Sequence, residues 1–113
     1  MSQELIYAAQ SGDLARVNGL LAAGAEVNHA DQYGDTALIW AASNGHTEMV
    51  RLLLAAPGVD VNHANQYGNT ALTLAITLSR MDVVWLLLAV EGVNVCQVNR
   101  NGRSALSLAA RRG

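Results

Sequence analysis

The chain has 113 residues, half of them hydrophobic, and a formal net charge of −2. That is one ordinary domain's worth of sequence, too apolar for a disordered chain and without an apolar run long enough to cross a bilayer. A lone cysteine, Cys96, excludes an intrachain disulfide and a thiolate metal cluster, and the N-terminal MSQELIYAAQSGD has no basic stretch leading into an apolar core; a reducing interior, cytoplasm or nucleus, is the expected place.

The first stretch, residues 3–30, reads as a first copy of the unit that follows, without its turn: Leu5, Ala8, Ala9, Gly12, Val17, Leu20 and Leu21 fall on positions equivalent to those below. Asp31-Gln32-Tyr33-Gly34 then forms a tight turn, Gly34 supplying positive φ. Thr36 is a helix N-cap, and the helix that starts at Ala37 presents Leu38, Ala41 and Ala42 as a small apolar face before Asn44-Gly45 ends it. A second helix from about Thr47 to Ala56 carries Glu48 in its first turn and Met49, Val50, Leu53 and Leu54 as a buried stripe. Pro57-Gly58 stops it, and an extended arm, residues 59–63, leads to the next turn at Asn65.

The pattern then returns. DQYGDTALIWAASNGHTEMVRLLLAAPGVDVNHA at 31–64 comes back as NQYGNTALTLAITLSRMDVVWLLLAVEGVNVCQV at 65–98, and NRNGRSALSLAARRG opens it again at Asn99. Gly34, Gly68 and Gly102 lie 34 residues apart, as do Leu38, Leu72 and Leu106. A fixed period of this size marks stacked units, because one helix pair cannot bury its own apolar face. The units are 1–30, 31–64, 65–98 and a partial 99–113, within one domain of residues 1–113.

G-x-T-A-L at 34–38 and 68–72, A-A-x-x-G-H at 41–46, V-R-L-L-L at 50–54 and V-D-V-N at 59–62 resemble the ankyrin repeat, over nearly the whole chain. The resemblance implies an all-α ankyrin-repeat solenoid of stacked helix-turn-helix units joined by β-hairpin-like loops. The family's T-P-L-H is Thr36-Ala37-Leu38-Ile39 here, then Thr70-Ala71-Leu72-Thr73 and Ser104-Ala105-Leu106-Ser107, so the hydrogen bonds of the missing histidine must be replaced or lost. Ser79 stands where Gly45 stands one unit earlier, which argues for a reshaped loop, since a left-handed non-glycine residue costs roughly 1 kcal/mol. Cys96 replaces the arm asparagine seen as Asn28 and Asn62, two positions that the resemblance marks as candidates for an asparaginyl hydroxylase.

No catalytic or cofactor-binding motif is present, and the reading is of a non-enzyme without a metal or other cofactor. His29 and His63 are read as arm residues and His46 as a hydrogen-bonding residue at a helix start. Residues 1–98 hold nine acids against three arginines, whereas 99–113 hold Arg100, Arg103, Arg111 and Arg112 and no acid. Without interleaved aromatics these arginines do not argue for nucleic acid; they keep one end of the stack soluble. Trp40 is expected to pack between units. Trp85, at the outer position held by Arg51 one unit earlier, is expected either under the C-terminal segment or at a contact.

The resemblance implies another protein as partner, gripped by the turn tips and the concave face of the first helices. Carried over by position, the contact residues are Gln32, Tyr33, Asp35, Ser43 and Asn44; then Gln66, Tyr67, Asn69, Thr77 and Leu78; then Arg100, Asn101, Arg103 and Arg111. Two alternatives stand beside this. With no second helix in the last unit, Val84, Leu87 and Leu88 lack their usual cover, so the C-terminal end either stacks on a second copy as a homodimer, dissociable at Leu87, or belongs to the repeat region of a larger enzyme or effector.

Overall fold

The computed structural model describes residues 2–112; Gly113 and the side chain of Arg112 lie outside the described residues. Among the described residues seven helices follow in chain order: α1 (Ser2–Ser11), α2 (Leu14–Ala22), α3 (Ala37–Asn44), α4 (Thr47–Leu54), α5 (Ala71–Thr77), α6 (Met81–Leu88) and α7 (Ala105–Arg112). The first helices of the units, α1, α3, α5 and α7, pack side by side in one row, and α2, α4 and α6 form a second row behind it. The stack measures 40 × 25 × 24 Å. Among the described residues there is no strand, only an isolated antiparallel bridge between Ala30 and Thr36.

One apolar cluster runs through the stack from Leu5 in α1 to Ala105 in α7. The alanines Ala8, Ala9, Ala41, Ala42, Ala71 and Ala75 are buried where first helices meet, so the rows approach closely. Val17, Met49, Val50, Leu53, Val83, Val84 and Leu87 fill the space behind them.

The first helices are capped in two ways. In α5 the Thr70 N–H donates to Thr73 Oγ1 (2.8 Å) while the Thr73 N–H donates to Thr70 Oγ1 (3.2 Å), a reciprocal box. Ser104 and Ser107 repeat it at α7, at 2.9 and 3.1 Å. In α3 the partner position is Ile39, and only the Ile39 N–H to Thr36 Oγ1 bond at 3.3 Å remains. The absent histidine's bonds are thus replaced by hydroxyls in two units and lost in the one where an aliphatic side chain sits.

Several expectations need correction. The loop at Ser79 is not reshaped: Ser79 takes φ 61°, and Arg80 N–H donates to the Ala75 carbonyl at 2.8 Å as His46 N–H donates to Ala41 at 3.0 Å. The strain is kept because those bonds close the helix end. Helix α4 ends at Leu54 rather than Ala56, since Ala56 N–H bonds the Leu53 carbonyl and tightens the last turn. The arm at 59–63 is not simply extended; the Asp60 carboxylate accepts the Asn62 N–H (3.0 Å) and folds an Asx turn. Val84 and Leu87 are not uncovered, because α6 turns them toward α5 and α4; of the three expected at the open end, only Leu88 is exposed, at 42% against 0% for Leu87.

Neighbouring units are also tied by polar bonds. Asn28 donates to the Gly58 carbonyl (2.8 Å) and accepts from Asp60 N–H (2.7 Å); Asn62 repeats both bonds one unit on, to Gly92 and Asn94. His46 Nε2 reaches back to the Gln10 carbonyl at 3.3 Å, and Arg80 Nε reaches the equivalent Ser43 carbonyl at 3.0 Å. His46 therefore joins two units rather than capping its own helix, since its side chain makes no cap bond to α4.

Candidate binding surface

The turn tips are built as a ladder. Asp31 Oδ1 accepts the N–H groups of Tyr33 (2.9 Å) and Asp35 (3.0 Å), and Asn65 and Asn99 do the same for their own tips. Between tips, Gln66 N–H donates to the Tyr33 carbonyl and Arg100 N–H to the Tyr67 carbonyl, at 3.0 and 2.9 Å. Asn65 Nδ2 donates to Asp35 and Asn99 Nδ2 to Asn69, both at 2.9 Å. His63 adds a bond from Nε2 to the Gly34 carbonyl at 2.9 Å. Gly68 permits the closest approach: at φ +78° its backbone passes Asn99 so nearly that a Cβ would meet that residue's Cα at 2.8 Å.

This ladder consumes backbone and short side chains and leaves the tyrosine rings outside. Gln32, Tyr33, Gln66 and Tyr67 are exposed, as are Arg100, Asn101, Arg103 and Arg111. Asp35 and Asn69 are half-buried, each spending an oxygen on the next tip. Burial raises the Asp35 carboxyl above its ordinary value; the Asn65 hydrogen bond opposes that, Asp31 reinforces it, and His63 opposes it.

The other sequence-named positions sit at the far end of the same helices. Asn44, Thr77 and Leu78 are exposed and Ser43 is half-buried. The Ser43 and Thr77 hydroxyls donate to their own helices, to the Ile39 and Thr73 carbonyls, both at 2.8 Å. Tips and helix ends would be separate patches but for one position between them. Trp40 lies three and four residues before Ser43 and Asn44, hence on their face of α3, and Leu74 stands likewise before Thr77 and Leu78.

Trp40 is only partly exposed on this face, where it borders Tyr7 and Gln10 of the preceding unit; its indole Nε1–H donates to Asp31 Oδ2 at 2.9 Å, which holds the ring beside its own tip. The repeat register extends the row: Tyr7, Trp40, Leu74 and Leu108 occupy equivalent positions in α1, α3, α5 and α7, Tyr7 exposed and the others half-exposed. The spacing of 33, 34 and 34 residues was the available signal for Tyr7, Leu74 and Leu108.

A second apolar surface lies behind. Met81, Trp85 and Leu88 follow each other by four and three residues, so they form one exposed stripe along the outer side of α6, and Leu78 at the end of α5 is exposed as well. Trp85 is 68% exposed and no described C-terminal residue shields it. The equivalents one unit earlier are Asn44, Thr47, Arg51 and Leu54.

Among the described residues no three of His, Cys, Asp and Glu converge on a position that would hold a metal, and no helix is long and apolar enough to cross a membrane. His29 Nε2 meets Gln3 Oε1 at 3.4 Å, and Cys96 is an exposed free thiol.

Helix pairs in two rows and tips laddered by Asx bonds define a scaffold of stacked repeats. The family model for ankyrin repeats (3 copies) matches residues 5–99 and, in a further placement, 58–113. The chain belongs to the ankyrin-repeat family, whose members are generally protein-interaction modules and typically not catalysts. No individual curated protein matches it.

Proposed function

We propose that this chain is a non-catalytic binding module that grips another protein along the first-helix face and the turn tips. The observation that carries this reading is the row Tyr7–Trp40–Leu74–Leu108 beside the exposed tip rings of Tyr33 and Tyr67. Large rigid side chains held on a preorganised frame give contact area at small entropy cost. Here the ladder between tips is fixed by bonds that do not involve the tyrosine rings, so recognition by Tyr33 and Tyr67 is separable from stability. The free, exposed thiol of Cys96 favours a reducing interior, cytoplasm or nucleus, as its place of action.

The test is a displayed-peptide selection on the chain, followed by affinity measurements on the selected peptide. Tyr33→Ala with Tyr67→Ala lowers affinity at least about tenfold, on the scale of lost aromatic anchors, and leaves the melting temperature within a few degrees. Unchanged affinity in the double variant removes these residues from the site.

A specific observation favours a second reading, self-association. The α6 stripe is a contiguous apolar surface beside the open end of the stack, of a kind monomers rarely leave bare. The residue to change is Trp85, not Leu87, which is fully buried. Under this reading light scattering gives a concentration-dependent dimer that Trp85→Ala abolishes; a monomer at every concentration rules it out.

A further inference from the structure

A cleft of 340 Å³ opens on the first-helix face at the second unit, lined among others by Tyr7, Gln10, Asp31, Gln32, Tyr33 and Trp40. Three of its walls are aromatic rings, brought from α1, the tip and α3. Ring faces are negative and attract a cation laid over them. Its floor holds Asp31, whose Oδ1 accepts two backbone N–H groups and whose Oδ2 accepts the Trp40 indole N–H. Neutral donors fix that carboxylate in place without cancelling its charge. Asp35 stands on the same tip, and burial together with the Asp31 charge disfavours its ionised form. The ion pairs between described side chains, Arg16–Glu4 and Arg51–Glu48, lie elsewhere; His63 faces Asp35, and no described ion pair reaches Asp31.

Each property narrows the occupant. An anion is repelled by Asp31 and by the ring faces. An aliphatic side chain fills the space but further dries a charge it does not neutralise. A flat cation satisfies both walls and floor, and a guanidinium does so better than an ammonium because it stacks on rings while donating in its own plane. The cleft has no counterpart one unit on, where Asn65 replaces Asp31, Asn69 replaces Asp35 and Leu74 replaces Trp40.

We propose that the cleft between Tyr7, Tyr33 and Trp40 is an arginine pocket, which takes the guanidinium of a basic segment on a partner protein against Asp31. The inference rests on the first-helix face being the binding surface and adds the chemistry of the occupant. It also sets polarity. The tip carboxylates lie on the second unit and Arg100, Arg103 and Arg111 on the last, so the partner segment lies with its basic part toward the N-terminal end of the stack.

The test uses the blocked tripeptide Ac-Gly-Arg-Gly-NH2 and its citrulline counterpart, equal in shape but uncharged. The two indole N–H signals of the ¹⁵N-labelled chain, assigned with Trp85→Phe, report on the pocket (Trp40) and on the far face (Trp85). The arginine peptide shifts the Trp40 signal to saturation and leaves Trp85 unmoved, and the citrulline peptide binds about tenfold more weakly. Asp31→Asn, the residue the third unit uses as Asn65, keeps the Trp40 reporter and the melting temperature, and the arginine peptide no longer shifts the Trp40 signal. Equal shifts with arginine and citrulline, or no Trp40 shift with either, overturn the proposal. A Trp40 shift on concentrating the free chain alone assigns the cleft to the arginines of a second copy and overturns the partner. A selected peptide that still needs Tyr33 and Tyr67 but not an arginine leaves the binding surface standing and removes only the pocket.

Discussion

Units 31–64 and 65–98 share a frame and exchange their surfaces. Both have an Asx-ladder tip, a threonine-capped first helix, a left-handed residue between the helices and an arm that locks onto its neighbour. In the second unit the inner face carries Asp31, Asp35 and Trp40, while the outer helix shows Thr47 and Arg51. In the third the inner face is neutral, with Asn65, Asn69 and Leu74, and the outer helix carries Met81 and Trp85. Positions identical in role serve the stack, and positions that differ are free to serve something else. By that criterion the second unit is specialised inward and the third outward.

The comparison is broken most forcefully at adjacent residues of α6. Leu87→Ala should cost about 3 kcal/mol in denaturant unfolding and Leu88→Ala under about 1, because one empties the core and the other trims a surface. Equal costs would mean that the outer stripe is also core.

Next come equivalent glycines. Gly68→Ala should cost about 2–3 kcal/mol, from the left-handed backbone and the collision with Asn99, whereas Gly102→Ala, at φ +74° in open space, should cost roughly 1. Similar losses would show that the ladder between tips is not held by close approach. Ser79→Gly should raise stability by roughly 0.5–1 kcal/mol, relieving the one left-handed non-glycine residue among those described. No gain would mean that the serine side chain offsets its own strain.

The smallest effect sharpens the electrostatic contrast between the tips. Asp35 has a raised carboxyl, so in the fold it holds its proton at pH values where the unfolded chain has released it. Its contribution favours folding below the ordinary value of 3.8 and is lost as pH rises through the raised value. Asp35→Asn, the residue the next tip uses as Asn69, therefore gains stability relative to the parent at neutral pH, and the gain shrinks toward pH 3. A gain independent of pH would trace to packing instead.

The frame was legible in the sequence because its determinants are local. Turn glycines, threonine caps and the 34-residue period each specify a short stretch, and the period forces stacking. What escaped was burial, which in a stack depends on the neighbour. Trp40 was expected between units and does border Tyr7 and Gln10 of the preceding unit; what the sequence did not show is that it also reaches the open side of the row, where Asp31 anchors it. Val84 and Leu87 were expected bare because a helix is missing beyond them, yet their sides of α6 face inward. The tyrosines at the tips were readable, since a tip is exposed in any stack. Tyr7, Leu74 and Leu108 were hidden among apolar residues that differ from core only by which side of the helix they take. Asp35 and Asn69 looked like free tip residues because the bonds that occupy them come from 30 residues away.

The measurement that bears most directly on the central claim is a hydrogen–deuterium exchange footprint of a peptide selected on the whole chain. Binding should protect the tips and the first helices around Tyr7, Tyr33, Trp40 and Tyr67, and leave α6 exchanging as in the free chain. Protection confined to α6 around Met81 and Trp85, with the tips unchanged, would contradict the account and make the outer face of the third unit the binding surface.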